Sequence, residues 1–315
     1  MKPIKDIAVV IPVFNEAENL DELYKRLVAS MVSISENYEL LFVNDGSSDG
    51  SLQKLQAFSR ADARVFYIDL SRNFGHQVAV SAGLDFCRSK VAVIIDADLQ
   101  DPPELIPKLY AEYQKGFNVV YAKRETREGE TYLKKMTSKL FYRILQQLTN
   151  FDIPLDVGDF RLLDDKIISE LRKMPEHNKF LRGQIAWLGF KQTHVTFKRE
   201  ARKHGTSGYS YSKMFSLAFD AVTGFSDKPL LFVTRMGFII SLVSFFVILF
   251  AVFSHFILKE TITGWTSLII SSMFIGGIQL LSIGIIGEYI SRISTNVKNR
   301  PQYVVQGSNL EKDSK

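Results

Sequence analysis

Two stretches of the chain are long, apolar and without formal charge: residues 236–258, whose one ionisable side chain is His255, and residues 265–287, which have none. Each runs about 23 residues, enough for a helix to cross a hydrocarbon core of about 30 Å. A buried helix of a soluble protein can be as apolar. Two in tandem, joined only by residues 259–264, predict instead a helical hairpin in a lipid bilayer. Lys228 and Arg235 precede the first run, and Arg292, Lys298 and Arg300 follow the second. By the positive-inside rule both flanks, and the large N-terminal portion, face the cytoplasm. The N-terminal "MKPIKDIAVV" has no signal-peptide pattern, because its apolar run leads straight into "PVFNE". A multi-pass protein of the inner (cytoplasmic) membrane is expected.

The net charge of +5 is modest and suits anionic headgroups or phosphates better than DNA. The chain carries no nucleic-acid motif, so no nucleic-acid partner is expected. Cys87 is the single cysteine, which excludes an intrachain disulfide and fits a reducing compartment.

Residues 7–14, 38–45, 64–71, 91–98 and 118–123 are apolar, β-branched runs. Helical patterns occupy residues 16–32, 48–60, 76–88 and 102–115 between them. This alternation predicts an α/β fold: a mainly parallel sheet, buried on both faces by flanking helices. Open sheets of this kind bind ligands beyond the carboxyl ends of their strands. Here those ends read "PVFNE", "VNDGSSDG", "LSRNFGH" and "DADLQDPPE". Residues 131–151 form a basic helical pattern, read either as a helix on the sheet or as one in the headgroup layer. Residues 210–225, with Tyr211, Phe215 and Phe219 four apart, read as an interfacial helix. The polar segment after Tyr303 is expected to be loose.

The segment "VAVIIDADLQDPPE" sets four carboxylates, Asp96, Asp98, Asp101 and Glu104, behind a buried strand. Like charges so crowded are costly unless a hard cation sits among them. Asp96, Asp98 and Gln100 supply oxygen ligands of the kind Mg2+ or Mn2+ takes, with positions left for phosphate oxygens. Asp101 and Glu104 flank the Pro102-Pro103 pair and read as the start of a helix, where acidic groups favour the dipole. Asn15, Glu16 and Asp45 lie at the first two strand ends. Taken singly they read as a helix cap and a turn; together with the Asp-x-Asp pair they point to a nucleoside diphosphate. The five histidines show no metal spacing, and His76 reads as structural.

These segments, with "VGDFRLLD" and the paired spans ending "GIIGEYISR", resemble family 2 glycosyltransferases of the GT-A fold from Ile7 to about Tyr303. Among them the likeness is greatest to polyisoprenyl-phosphate glycosyltransferases, a group with bactoprenol glucosyltransferases and relatives of dolichol-phosphate mannose synthase. The resemblance implies a cytoplasmic glycosyltransferase domain at 1–205, an interfacial amphipathic helix at 206–228, two transmembrane helices at 229–292 and a cytoplasmic tail at 293–315. It implies transfer of a hexosyl group, glucose from UDP-glucose, to undecaprenyl phosphate with inversion; a GDP-mannose or amino-arabinose donor is the alternative. By the same analogy Pro12, Asn15, Glu16, Asp45 and Asp96 hold the nucleotide sugar. Asp96, Asp98 and Gln100 hold Mg2+ or Mn2+. Arg124, Lys134, Ser138, Arg199 and Arg202 meet the acceptor phosphate. A homo-oligomer is expected.

Asp159 matches the position usually assigned as base. The acceptor, a phosphate monoester with a second pKa near 6, is already largely dianionic. Asp159 therefore has a second reading, that it orients Arg161 or the acceptor. A processive polysaccharide synthase would carry a Q-x-x-R-W motif and more spans, and "QIAWLG" lacks its Arg-Trp. A non-enzymatic nucleotide-sugar sensor would not need the whole Asp-Ala-Asp-Leu-Gln site, and a structural membrane subunit would not need the sheet.

Overall fold

The computed structural model describes residues 5–125, 157–177, 179–197, 228–253, 257 and 264–310. The chain divides into two compact units. The first is built from Met1–Gln147, Phe151–Phe215 and Arg300–Lys315, the second from Leu148–Asn150 and Ser216–Asn299.

The first unit opens with four strands in alternation with helices: β1 (Lys5–Val13), α1 (Leu20–Val32), β2 (Tyr38–Asn44), α2 (Ser51–Ala61), β3 (Val65–Leu70), α3 (His76–Phe86) and β4 (Ser89–Ile94). A short 3-10 turn at Pro103–Leu105 leads into α4 (Ile106–Gln114) and β5 (Val119–Arg124). Then come β6 (Val157–Asp164), α5 (Asp165–Lys173), α6 (Leu181–Trp187) and β7 (Gln192–Phe197). These positions match the alternation expected from the apolar runs.

Among the described residues the sheet has eight strands in the order β7-β5-β6-β4-β1-β2-β3-β8, with β8 at Val305–Ser308. β1 pairs in parallel with β2 and β4, and β2 with β3. Along β1, Ile7, Val9, Ile11 and Val13 enter one core while Ala8 and Val10 enter the other. That is the period-two alternation of a strand covered on both faces. The first core takes Leu20, Leu23 and Leu27 from α1, Leu55 from α2 and Leu109 from α4. The second takes Ala79 and Val80 from α3, Ile167 and Ile168 from α5, and Ile185 from α6.

β6, the "VGDFRLLD" segment, enters between β4 and β5 and runs antiparallel to both. Its Asp159 and Arg161 conceal a strand whose charges compensate one another. The C-terminal segment is not loose: Val305–Ser308 pairs antiparallel with β3, and Tyr303 donates to Asp85 across 2.9 Å. The edge of β3 would otherwise present unpaired N–H and C=O groups.

The second unit holds α7 (Lys228–Phe253) and α8 (Trp265–Val297), which touch each other. Both are long and apolar enough to cross a membrane, and their apolar side chains stand exposed. They are a candidate transmembrane hairpin, with α8 carrying its helix past residue 292. The helical patterns at 131–151 and 210–225 lie outside the described residues.

Phe246 sits within α7 and is 60% exposed. A central Arg costs about 2.5–3.5 kcal/mol on insertion scales. Phe246→Arg is therefore expected to lower the membrane-inserted fraction, measured by carbonate extraction, whereas Phe246→Leu leaves it unchanged.

Candidate active site

The parallel strands end at one level, since Val13 pairs with Asn44 and Asn44 with Asp69. The loops beyond them are knitted together. Asn15 takes a left-handed backbone (φ 55°) and donates its N–H to Ser47 Oγ at 3.0 Å. Its side-chain Oδ1 accepts from the Ser48 N–H at 2.8 Å. It is not a helix cap, because α1 begins only at Leu20. Glu16 donates its N–H to Ser51 Oγ at 3.1 Å and accepts from Asn19 Nδ2 at 2.5 Å.

Asp45 is buried and accepts from the N–H groups of Phe74 (2.7 Å) and Gly75 (3.0 Å). Burial pushes its carboxyl above the ordinary range, and those two amide bonds pull the other way. Next to it Gly46 has φ 67°, and a Cβ there would meet the backbone of Arg72 and Asn73 at 2.5 Å. The loop after β3 thus lies directly on the turn after β2, and it delivers His76 as the first residue of α3.

Beyond β4, Asp96 and Asp98 turn into a cleft of about 170 Å3. Pro12, Phe14, Glu16, Asp45 and His76 line it with them. Leu99 (φ 59°) makes the sharp turn after Asp98, whose Oδ1 accepts from the Gln100 N–H at 3.1 Å. Among the described residues Asp96 Oδ1 has no hydrogen-bond partner, and it lies 3.6 Å from His76 Nε2. Burial raises the Asp96 carboxyl; the Asp159 and Asp98 charges add to this, and His76 opposes it.

Asp159, on β6, is the hub of the far wall, with 14% of its side chain exposed. Oδ2 takes His76 Nε2 and Gln77 Nε2, each at 3.1 Å. Oδ1 accepts from Arg182 Nε at 2.9 Å and lies 3.6 Å from Arg161 Nη2. Burial works against its ionisation, yet Arg182, His76 and Arg161 outweigh burial and hold it well below the usual carboxylate range. His76 responds in the opposite sense. Burial disfavours its charge, but the bond to Asp159 and the charges of Asp96 and Asp159 push it up to about 9. Arg161 is buried, which lowers it to about 10, and it donates to Gly158 O at 2.8 Å.

The structure thus brings Pro12, Glu16, Asp45, Asp96 and Asp98 to one cleft, with Asp159 joined to it through His76. Asn15 binds the neighbouring loop, and Gln100 sits on the turn behind Asp98. Arg124 ends β5 with Nη2 3.5 Å from Asp101 Oδ1. Asp101 is only 1% exposed, so it is a buried counter-charge and not the open helix start that its place beside Pro102 suggested. Glu104 does begin the following turn, and it accepts both arms of Arg26 at 2.8 and 2.7 Å. Lys134, Ser138, Arg199 and Arg202 lie outside the described residues. Gln77 and Arg182 carry no motif that singles them out. His76, read as structural, stands inside the cleft.

Among the described residues no three His, Cys, Asp or Glu side chains converge as a metal cluster. Asp96 and Asp98 nonetheless fit a Mg2+ or Mn2+ ion of the kind held by one or two carboxylates plus substrate phosphates and water. Asp96 Oδ1 accepts no hydrogen bond from the described residues, which leaves it a lone pair for such an ion beside its 3.6 Å approach to His76.

Gly46→Ala is expected to destabilise the protein by about 1–3 kcal/mol, because it adds both a left-handed backbone cost and a backbone clash. Thermal denaturation measures the loss. Gly50→Ala, whose Cβ would meet nothing nearer than 3.9 Å, is the control.

The sequence profile of glycosyl transferase family 2 matches residues 8–172. The chain is 47% identical over 301 residues to the uncharacterized glycosyltransferase YkcC of Bacillus subtilis, a match that covers 96% of this chain and 93% of that one. It is 40% identical to the uncharacterized glycosyltransferase sll0501 of Synechocystis, over 95% and 94% of the two chains. The bactoprenol glucosyl transferase of Shigella phage SfII is 35% identical, over 96% of this chain and 98% of its own. With a mainly parallel sheet that gathers its polar residues at the strand ends, the chain belongs to glycosyl transferase family 2 and is a glycosyltransferase.

Proposed function

We propose that the protein transfers glucose from UDP-glucose to undecaprenyl phosphate at the cytoplasmic face of the membrane, with inversion at the anomeric carbon. One observation carries the reading. The match to bactoprenol glucosyl transferases runs the length of both proteins, so it includes the cleft and the two apolar helices alike. A water-soluble acceptor would give the hairpin no role, whereas a polyprenyl chain must be met in the bilayer.

In this reading the nucleotide lies over the ends of β1 and β2, where Pro12, Glu16 and Asp45 line the cleft. Asp96 and Asp98 would hold a Mg2+ or Mn2+ ion, which when bound offsets negative charge on the departing diphosphate. An oxygen of the acceptor phosphate attacks the anomeric carbon from the face opposite the diphosphate. The new C–O bond forms as the bond to UDP breaks, and UDP leaves with the electron pair. Arg124, Lys134, Ser138, Arg199 and Arg202 are proposed to steady the acceptor phosphate. Asp159 orients rather than deprotonates. It is held well below the usual carboxylate range, and its oxygens already accept from Arg182, Gln77 and His76. The acceptor, with a second pKa near 6, has little proton left to give.

Purified protein with UDP-glucose and undecaprenyl phosphate is expected to yield a lipid-extractable glucosyl phosphate of inverted configuration. Turnover should stop in chelator, return with Mg2+ or Mn2+, and be largely lost in Asp98→Asn. Absence of any lipid-linked hexose, whatever the donor, would overturn the reading. Asp159→Asn should lose on the order of 100-fold in kcat. Since Asp159 stays ionised across neutral and mildly alkaline pH, the ratio of the variant to wild type should be flat there. A deficit that closes as pH rises would restore the base assignment.

A further inference from the structure

We propose that His76 is a positioning residue that fixes the spacing between Asp96 and Asp159. The inference rests on the reading above, in which Asp96 serves the donor diphosphate and Asp159 the acceptor.

Sheet register sets the problem that His76 solves. β4 and β6 are antiparallel, with Val93 opposite Leu162 and Ile94 opposite Arg161. Carried two residues further, the same register sets Asp96 opposite Asp159. Like charges directly opposite one another in a ladder repel. Without a bridge the two would splay, and the loop after β4, which pairs with β6 no further than Ile94, is the side free to give.

His76 Nε2 lies 3.1 Å from Asp159 Oδ2 and 3.6 Å from Asp96 Oδ1, so one nitrogen faces both carboxylates. The ring is itself held in place. His76 opens α3, and the residue before it, Gly75 (φ 100°), gives its N–H to buried Asp45. Gln77, the residue after it, acts elsewhere. It donates to Asp159 and accepts from the Leu181 N–H, which ties β6 to α6. His76 thus links the two sides of the cleft, and Gln77 secures the far side alone. In-line transfer needs the attacking oxygen, the anomeric carbon and the leaving oxygen aligned. A displacement of about 1 Å between the two sides can cost about 100-fold.

The test compares His76→Ala, His76→Asn and His76→Gln in the full chain. Gln carries an Nε2 donor at a reach like that of the imidazole, whereas Asn keeps a donor but is too short to span both carboxylates. We expect kcat to fall about 100-fold in His76→Ala and His76→Asn, with KM for the nucleotide sugar changed less than about threefold. His76→Gln should recover at least about tenfold of that loss. Because His76 acts through Asp159, His76→Asn combined with Asp159→Asn should be little worse than the poorer single variant. Additive losses, or a folded His76→Asn with normal kcat, overturn the proposal.

A second readout needs no turnover and so separates this proposal from the functional reading. In histidine-labelled protein the 15N resonance of the His76 ring should move in both Asp96→Asn and Asp159→Asn. Movement in only one of them, or in neither, rules out the bridge whatever the enzyme transfers.

Discussion

A charge cluster placed inside a sheet governs the rest of this structure. β6 brings Arg161 and Asp159 between β4 and β5, where burying an ion costs several kcal/mol unless partners offset it. Arg161 is met by the Gly158 carbonyl and by Asp159. Asp159 is met in turn by Arg182 from α6 and by His76 and Gln77 from α3. One strand's charges therefore dictate where two helices must begin. The wall of the cleft and the helix positions are not separable features of the fold.

The other carboxylates at the strand ends are settled by different means. Asp45 is satisfied by two backbone amides and fixes the loop that carries them. Asp101 faces Arg124, which pins the loop after β4 to the end of β5. Asp96, which lines the cleft, keeps an Oδ1 without a hydrogen-bond partner among the described residues. The fold compensates the carboxylates that hold loops and keeps a ligand atom available where the cleft opens. That distribution fits the cation-bearing diphosphate proposed for the cleft, and it answers why a buried strand ends in a knot of acids.

Much of this was legible in the sequence because burial on both faces writes near-continuous apolar runs. The first four strands, their helices and the two long apolar helices follow from patterning alone. β6 escaped because its charges break the apolar run, and charges that compensate one another in space look exposed along a chain. β8 escaped because four residues with one apolar position carry almost no periodic signal. At the site, Glu16, Asp45, Asp96 and Asp98 were legible as cleft-facing from their place at strand ends, and Pro12 only from the family resemblance. Arg182 was not, since it reaches Asp159 from a helix with no distinguishing residue around it. His76 is a similar case, because a lone histidine shows nothing along the chain of the two acids that stand 3.1 and 3.6 Å from it in space.

The place of β8 in the chain has a consequence for biosynthesis. The strand that closes the edge of β3 is made only after both long apolar helices, 235 positions later than Leu70, counting from 70 to 305. At about 5–20 residues per second, roughly 10–50 s pass between the emergence of the two partners. Throughout that interval β3 is an open edge on a nascent protein, at risk of pairing with another chain. A ribosome that stalls or releases within α8 would leave a domain whose sheet ends in an unpaired strand.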